Sequence, residues 1–137
     1  MENKILFLIE KDGIAKAIFD EKESDIYSIK SYISKLCNTH LFSHEEYKKR
    51  VKKYVGLKNK IPIILNDKHL FFYFKSNDGK AYLINYFALA GITKEELIGF
   101  HFDNGISIYI DGSIAVLKKE LKKIERLILY LKELKLI

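Results

Sequence analysis

The chain has 137 residues, 48% of them apolar and 31% charged, with a net charge of +6; at roughly 100–200 residues per domain, residues 1–137 read as one folded unit able to bury a core. Seven glycines and one proline exclude a disordered or collagen-like chain, one cysteine excludes a disulfide scaffold, and no apolar run approaches the roughly 20 residues of a membrane-spanning helix. A lone thiol suits a reducing compartment, and the apolar stretch Ile5 to Ile9, flanked by Glu2 and Glu10, is too short for a secretion signal, so a cytoplasmic location is expected.

Asn3 to Glu10 is apolar and rich in β-formers, Lys11-Asp12-Gly13 is a turn signal, and Ile14 to Phe19 is again strand-like, which predicts an opening hairpin. Ser24-Asp25 caps a helix whose apolar positions Ile26, Ile29, Ile33, Leu36 and Cys37 recur at three and four residues and which ends near Asn38. Ser43-x-x-Glu46 is a capping box that opens a second helix. Around that helix Tyr47, Val51, Tyr54 and Val55 share one arc with His44, and Lys48, Lys49, Arg50, Lys52 and Lys53 occupy the remainder, so one face is buried and five cations face outward.

Gly56 and Lys58-Asn59-Lys60 end the helix, and the pattern changes to strands at Ile61 to Leu65, His69 to Lys75 and Lys80 to Leu89, with turns at Asn66-Asp67-Lys68 and Ser76-Asn77-Asp78-Gly79. Gly91 to Glu96 reads as a connection; Leu97 to Phe102 and Ile106 to Ile110 flank the hairpin signal Asp103-Asn104-Gly105. Ser113 caps a long C-terminal helix in which Ile114, Leu117, Leu121, Ile124, Ile128 and Leu131 are spaced at three and four. The class is α+β: an antiparallel β-meander with an N-terminal hairpin, two middle helices and a long C-terminal helix. That last helix also carries Leu127, Leu129, Leu134, Leu136 and Ile137, more apolar surface than one sheet covers. Leu121, Ile124, Leu127, Ile128, Leu131 and Leu134 are therefore expected at an oligomer interface; the alternative is that the opening hairpin covers the second face.

The surplus positive charge is concentrated. Residues 48–60 hold seven bases and no acid, and residues 118–137 hold seven bases and three acids, whereas the rest of the chain is acidic on balance. The first stretch, Lys48, Lys49, Arg50, Lys52, Lys53, Lys58 and Lys60, offers several phosphate contacts in one patch; the alternative is a solvated lysine face. Whether Lys118, Lys119, Lys122, Lys123 and Arg126 lie beside it decides the size of the footprint.

Other chemistries find less support. Cys37-x2-His40-x3-His44 has soft ligands at short spacing but no fourth ligand nearby, and Cys37 reads as a buried apolar residue, not as a zinc ligand or nucleophile. Glu45-Glu46 and Glu95-Glu96 sit where acids complement helix starts or loops, and no phosphate-cradling glycine loop is present. No enzyme, metal or cofactor is expected. Phe71, Phe72, Tyr73, Phe74, Tyr82, Tyr86, Phe87, Phe100 and Phe102 read as core; the alternative is a base-stacking platform.

From Cys37 to Ile63 the chain resembles the ComK family, competence transcription factors of low-GC Gram-positive bacteria, in divergent and C-terminally short form. The resemblance rests on Cys37, Ser43, Tyr47 and Arg50 in order, then Lys60-Ile61-Pro62-Ile63, and further on Phe71-Phe72, Ser76, Leu83-Ile84 and Phe102-Asp103-Asn104-Gly105. It implies a DNA-binding transcriptional regulator that recognises A/T-rich duplex DNA through the minor groove as a homodimer or higher homo-oligomer, without a membrane. Within that expectation Arg50, with Lys49 and Lys53, reaches the groove while Lys48, Lys52, Lys58 and Lys60 hold phosphates. The alternative is a protein-interaction module or inhibitor that keeps the fold without the DNA contacts.

Overall fold

A computed structural model describes residues 4–134; Asn3 of the expected first strand and Leu136 and Ile137 of the last helix lie outside these. The chain opens with the hairpin β1 (Ile5–Lys11) and β2 (Ile14–Phe19). Asp12 and Gly13 both take positive φ, 52° and 78°, giving the two-residue turn whose twist matches the strands it joins. A register shift between Ile5 and Phe7 places Leu6 and Phe7 on one side of the sheet and Ile5 and Leu8 on the other, so this short strand feeds two cores.

The helix expected from Ser24 starts later. Residues Glu23–Ile26 form β3, which pairs with β2 and sets Ser24 opposite Ala17, and α1 runs from Ile29 to Thr39. Ser28 is the cap: its side chain accepts from the Ser31 N–H, while the Glu10 carboxylate accepts from the Ile29 N–H at 2.7 Å. Ladder bonds between β2 and β3 take Ser24 out of the helix, and Ser28 caps it in its place. Helix α2 (His44–Val55) opens at Ser43, whose hydroxyl accepts from the Glu46 N–H at 3.4 Å, and closes at Gly56, with φ 82°.

Strands β4 (Ile63–Asn66), β5 (His69–Lys75) and β6 (Ala81–Asn85) form the meander, and β1 joins it by pairing with β6. The result is one antiparallel sheet of six strands in the order β3-β2-β1-β6-β5-β4. The third strand of the meander, expected to continue to Leu89, stops at Asn85. This side chain is fully buried and uses all its main hydrogen-bonding capacity: Oδ1 accepts from Leu70 N at 3.0 Å and Phe87 N at 3.2 Å, and Nδ2 donates to Ile5 O at 2.7 Å and Lys68 O at 2.9 Å. A 3-10 turn over Tyr86–Ala88 then redirects the chain into β7 (Leu89–Lys94), a strand where a connection was expected. With β8 (Ile98–Phe102) and β9 (Ser107–Ile110) it builds a second sheet of three strands, and Ser113 caps α3 (Ile114–Glu133).

Three apolar clusters hold these layers together. On one face of the large sheet Ile33 and Cys37 of α1 pack on Ile5, Leu8, Ala17, Ile63, Phe71 and Leu83. On the other face Leu6, Phe72, Phe74 and Ile84 meet Ile98, Phe100 and Ile110 of the small sheet and Leu117 and Ile124 of α3. The third cluster joins Val51, Val55, Leu57 and Ile61 to Leu127 of α3. Both apolar faces of α3 are thereby used inside the chain, the second by α2 and the loop after it and not by the hairpin. Of the expected oligomer interface, Ile124 and Leu127 are core residues, and Leu121, Ile128 and Leu131 are half-buried against the same clusters. Leu134 stays exposed, as does Leu129.

Candidate nucleic-acid interface

Helix α2 is held in place by its apolar stripe and by Tyr47. The Tyr47 hydroxyl donates to Pro62 O at 2.7 Å and accepts from Ile64 N at 3.2 Å, which ties the helix to the start of β4. Burial pushes this phenol far above its ordinary range, so it stays protonated as a donor. With Val51 and Val55 turned inward, Lys49, Arg50, Lys52 and Lys53 are left on the exposed side. Lys49 lies 3.9 Å from Glu46, and the Lys53 ammonium sits 5.2 Å from the centre of the Tyr54 ring. Arg50, Lys52, Lys58 and Lys60 have no side-chain partner among the described residues.

Lys48 departs from the expected outward set. It is half-buried, 3.0 Å from Glu45, and lines a cleft against α1 in place of the outer face. The pairing follows from the i, i+3 spacing on the first turn, where Glu45 also complements the helix dipole.

The two basic stretches of the sequence meet in space. The Lys123 ammonium donates to Asn59 O at 2.7 Å, and Arg126 Nη2 donates to Val55 O at 2.5 Å, joining α3 to the end of α2 and its following loop. The groove between them, about 400 Å³, is lined by Gly56, Leu57, Lys58 and Asn59 on one side and Lys119, Lys122, Lys123 and Arg126 on the other. Five of these eight residues are cationic and none is acidic. Lys119, Lys122, Lys123 and Arg126 stand at i, i+3, i+4 and i+7, one stripe of α3, and that spacing is visible in the sequence.

The cations of the groove divide by role. Lys123 is committed to the Asn59 carbonyl of the loop after α2, and Arg126 to the Val55 carbonyl at the C-terminal end of α2, where its positive charge offsets the partial negative charge of the helix end. Lys123 also pairs at 2.8 Å with Glu120, a carboxylate only 3% exposed. Lys58, Lys119 and Lys122 are exposed and have no partner among the described residues, which leaves them for an external anion. Beyond the groove, Arg50 and Lys52 on α2 and Lys118 on α3 extend the exposed positive charge.

The remaining sequence constellations are placed elsewhere. Cys37 is fully buried in the α1 cluster, which pushes its thiol up, and His40 is occupied by Leu36 O at 2.9 Å and Asn66 Nδ2 at 3.1 Å. Among the described residues no three His, Cys, Asp or Glu side chains gather to hold a metal ion. Phe71, Phe72, Phe74, Tyr82, Phe100 and Phe102 are buried, and Tyr73, Tyr86 and Phe87 pack against the clusters, so the aromatics form the core and not an open stacking surface. No helix among the described residues is long and apolar enough to cross a membrane. No protein-family model, curated protein or solved structure matches the chain significantly.

Proposed function

We propose that this protein is a DNA-binding transcriptional regulator of the cytoplasm, not an enzyme, that engages duplex DNA through the basic surface of α2, the loop after it and α3. The observation that carries the reading is the seam itself. Two cationic stretches far apart in the chain are held side by side by Lys123 on Asn59 O and Arg126 on Val55 O, pairs more than sixty positions apart, and no carboxylate lines the groove between them. Unpartnered lysines along a rigid groove release counterions when they meet phosphates, which is the main source of sequence-independent affinity for DNA. The resemblance to the ComK family adds the preference for A/T-rich sites, for which Arg50 is the exposed guanidinium without a partner among the described residues. A narrow A/T minor groove concentrates negative potential that such a group reads without a base-edge code. Self-association, also implied by that resemblance, would use Leu129 and Leu134, the exposed apolar positions near the end of α3.

Fluorescence anisotropy with A/T-tract and G/C duplexes of equal length, titrated across salt, tests the reading. Preference for A/T by roughly 4 kcal/mol or more is the expected span of specific over non-specific affinity. Replacing Lys58, Lys119 and Lys122 by Ala should reduce the slope of log affinity against log salt by about 0.9 for each phosphate that is no longer neutralised. Arg50→Ala should narrow the A/T preference while leaving most of the salt slope. Equal, weak binding of both duplexes, unaltered in the triple variant, would sink the proposal and turn attention to acidic protein partners.

A further inference from the structure

The groove of about 400 Å³ between the loop after α2 and α3 falls within the size range of small-molecule sites, and it holds more positive charge than one phosphate offsets. Lys123 and Arg126 are engaged with carbonyls, which leaves Lys58, Lys119 and Lys122 as exposed ammonium groups without a partner among the described residues. A single phosphate group carries at most about two negative charges. The acids on this stretch of α3 do not cancel the remainder. Glu120 is 3% exposed and paired with Lys123, and Glu125 lines a separate groove with Tyr86 and Leu89 on a different face of the helix.

The loop supplies the second observation. The backbone N–H groups of Leu57, Lys58 and Asn59, three residues that line the groove, have no acceptor among the described residues. Unpaired amides beside a cationic surface are donors with which proteins commonly hold phosphate oxygens. The loop is also fixed in place. Leu57 and Ile61 bury their side chains at its two ends, Lys123 holds the Asn59 carbonyl, and Lys60 keeps a left-handed backbone, φ 49°, that a lysine adopts only where its surroundings impose it. Donors preset in this way lose little freedom on binding.

We infer that this groove binds a short chain of linked phosphates, with Lys58, Lys119 and Lys122 meeting successive phosphates and the amides of Leu57, Lys58 and Asn59 meeting their oxygens. No aromatic side chain lines the groove to stack a base, so the phosphates alone are recognised. Such an anion competes with DNA for the same surface; this competition, unlike the site itself, rests on the DNA-binding reading of the groove.

The test is an amide-resolved NMR titration of the full chain with tripolyphosphate at fixed ionic strength, with sulfate as the single-centre control. Saturable shifts at Leu57, Lys58, Asn59, Lys119 and Lys122 are expected, at an affinity roughly tenfold or more above that for sulfate. ATP should bind within about threefold of tripolyphosphate, since its base finds no stacking partner. Lys119→Met with Lys122→Met should lower the affinity about tenfold, whereas Lys30→Met with Lys35→Met, which removes the same charge from α1, should leave it within about twofold. All four lysines are exposed, and the unperturbed remainder of each spectrum reports that the fold is intact. Absence of saturable shifts at millimolar tripolyphosphate, equal affinity for sulfate, much tighter binding of ATP, or equal losses in the two double variants overturns the inference. Adding tripolyphosphate to the protein bound to duplex DNA, followed by anisotropy, separates the two readings. Release of the DNA supports both; groove shifts with the DNA retained support the phosphate site and overturn the assignment of DNA to this groove.

Discussion

Arg126 of α3 donates a 2.5 Å hydrogen bond to the carbonyl of Val55, the last residue of α2, and the same guanidinium lies 3.1 Å from where a β-carbon on Gly56 would stand. The approach is close because Gly56 has no side chain and because its φ of 82° turns the chain sharply away from the helix.

Gly56→Ala should therefore act twice. A left-handed backbone costs an L-residue about 1–2 kcal/mol, and the new methyl also displaces the guanidinium from Val55. Urea unfolding should show the loss, and in an Arg126→Ala background the added penalty should shrink, because the displaced group is already gone. Equal penalties in the two backgrounds would mean that the guanidinium yields without cost.

The pair beside it is buried more deeply. Glu120 is 3% exposed, its Oε2 lies 2.8 Å from Lys123, and its Oε1 has no hydrogen-bond partner among the described residues. Lys123→Ala leaves that carboxylate uncompensated and should destabilise the protein by about 3–5 kcal/mol, whereas the double replacement Glu120→Met with Lys123→Met should cost much less. Chemical denaturation of the three proteins distinguishes this from simple removal of the hydrogen bond to Asn59, which both variants share.

Tyr47 links α2 to β4 through two hydrogen bonds of one hydroxyl, and Tyr47→Phe should lower stability by about 1–3 kcal/mol by leaving the Ile64 N–H and Pro62 carbonyl without it. The same burial sets the alkaline limit of the fold. Cys37 and Tyr47 both titrate above their ordinary values of 9.0 and 10.0 in the folded chain, with desolvation as the leading cause. Their stabilising contribution is complete below those ordinary values and is lost as pH rises through them toward the folded ones, because the unfolded chain releases its protons first. Thermal melts should thus weaken from about pH 9 upward. Tyr47→Phe should flatten the part of that decline above about pH 10, and an unchanged profile would argue against a folded-state shift.

Much of this architecture is legible in local chemistry. Asp12-Gly13 specifies its turn through positive φ, Ser43 and Gly56 mark the ends of α2, and Ser113 opens α3, because each signal acts through groups a few residues away. The α+β class and the outward lysines of α2 follow from periodicity alone, and so does the cationic stripe of Lys119, Lys122, Lys123 and Arg126.

Residues 24–27 have a credible helix cap, yet β2 recruits Glu23–Ile26 into the sheet; Asn85 reads as mid-strand, yet it meets Ile5 and Lys68 and becomes a corner. Ile124 and Leu127 look like an interface on a lone helix and become core once α2 and the sheets pack on them, while Lys48 turns from the outer face toward Glu45. The seam between the two basic stretches is of the same kind. Composition along the chain establishes how much positive charge there is and on which helix faces it stands, since those depend on residues three or four apart. That Lys123 reaches Asn59 and Arg126 reaches Val55 depends on how three separate cores pack together, and burial is non-directional, so no local pattern encodes which helices it will bring side by side.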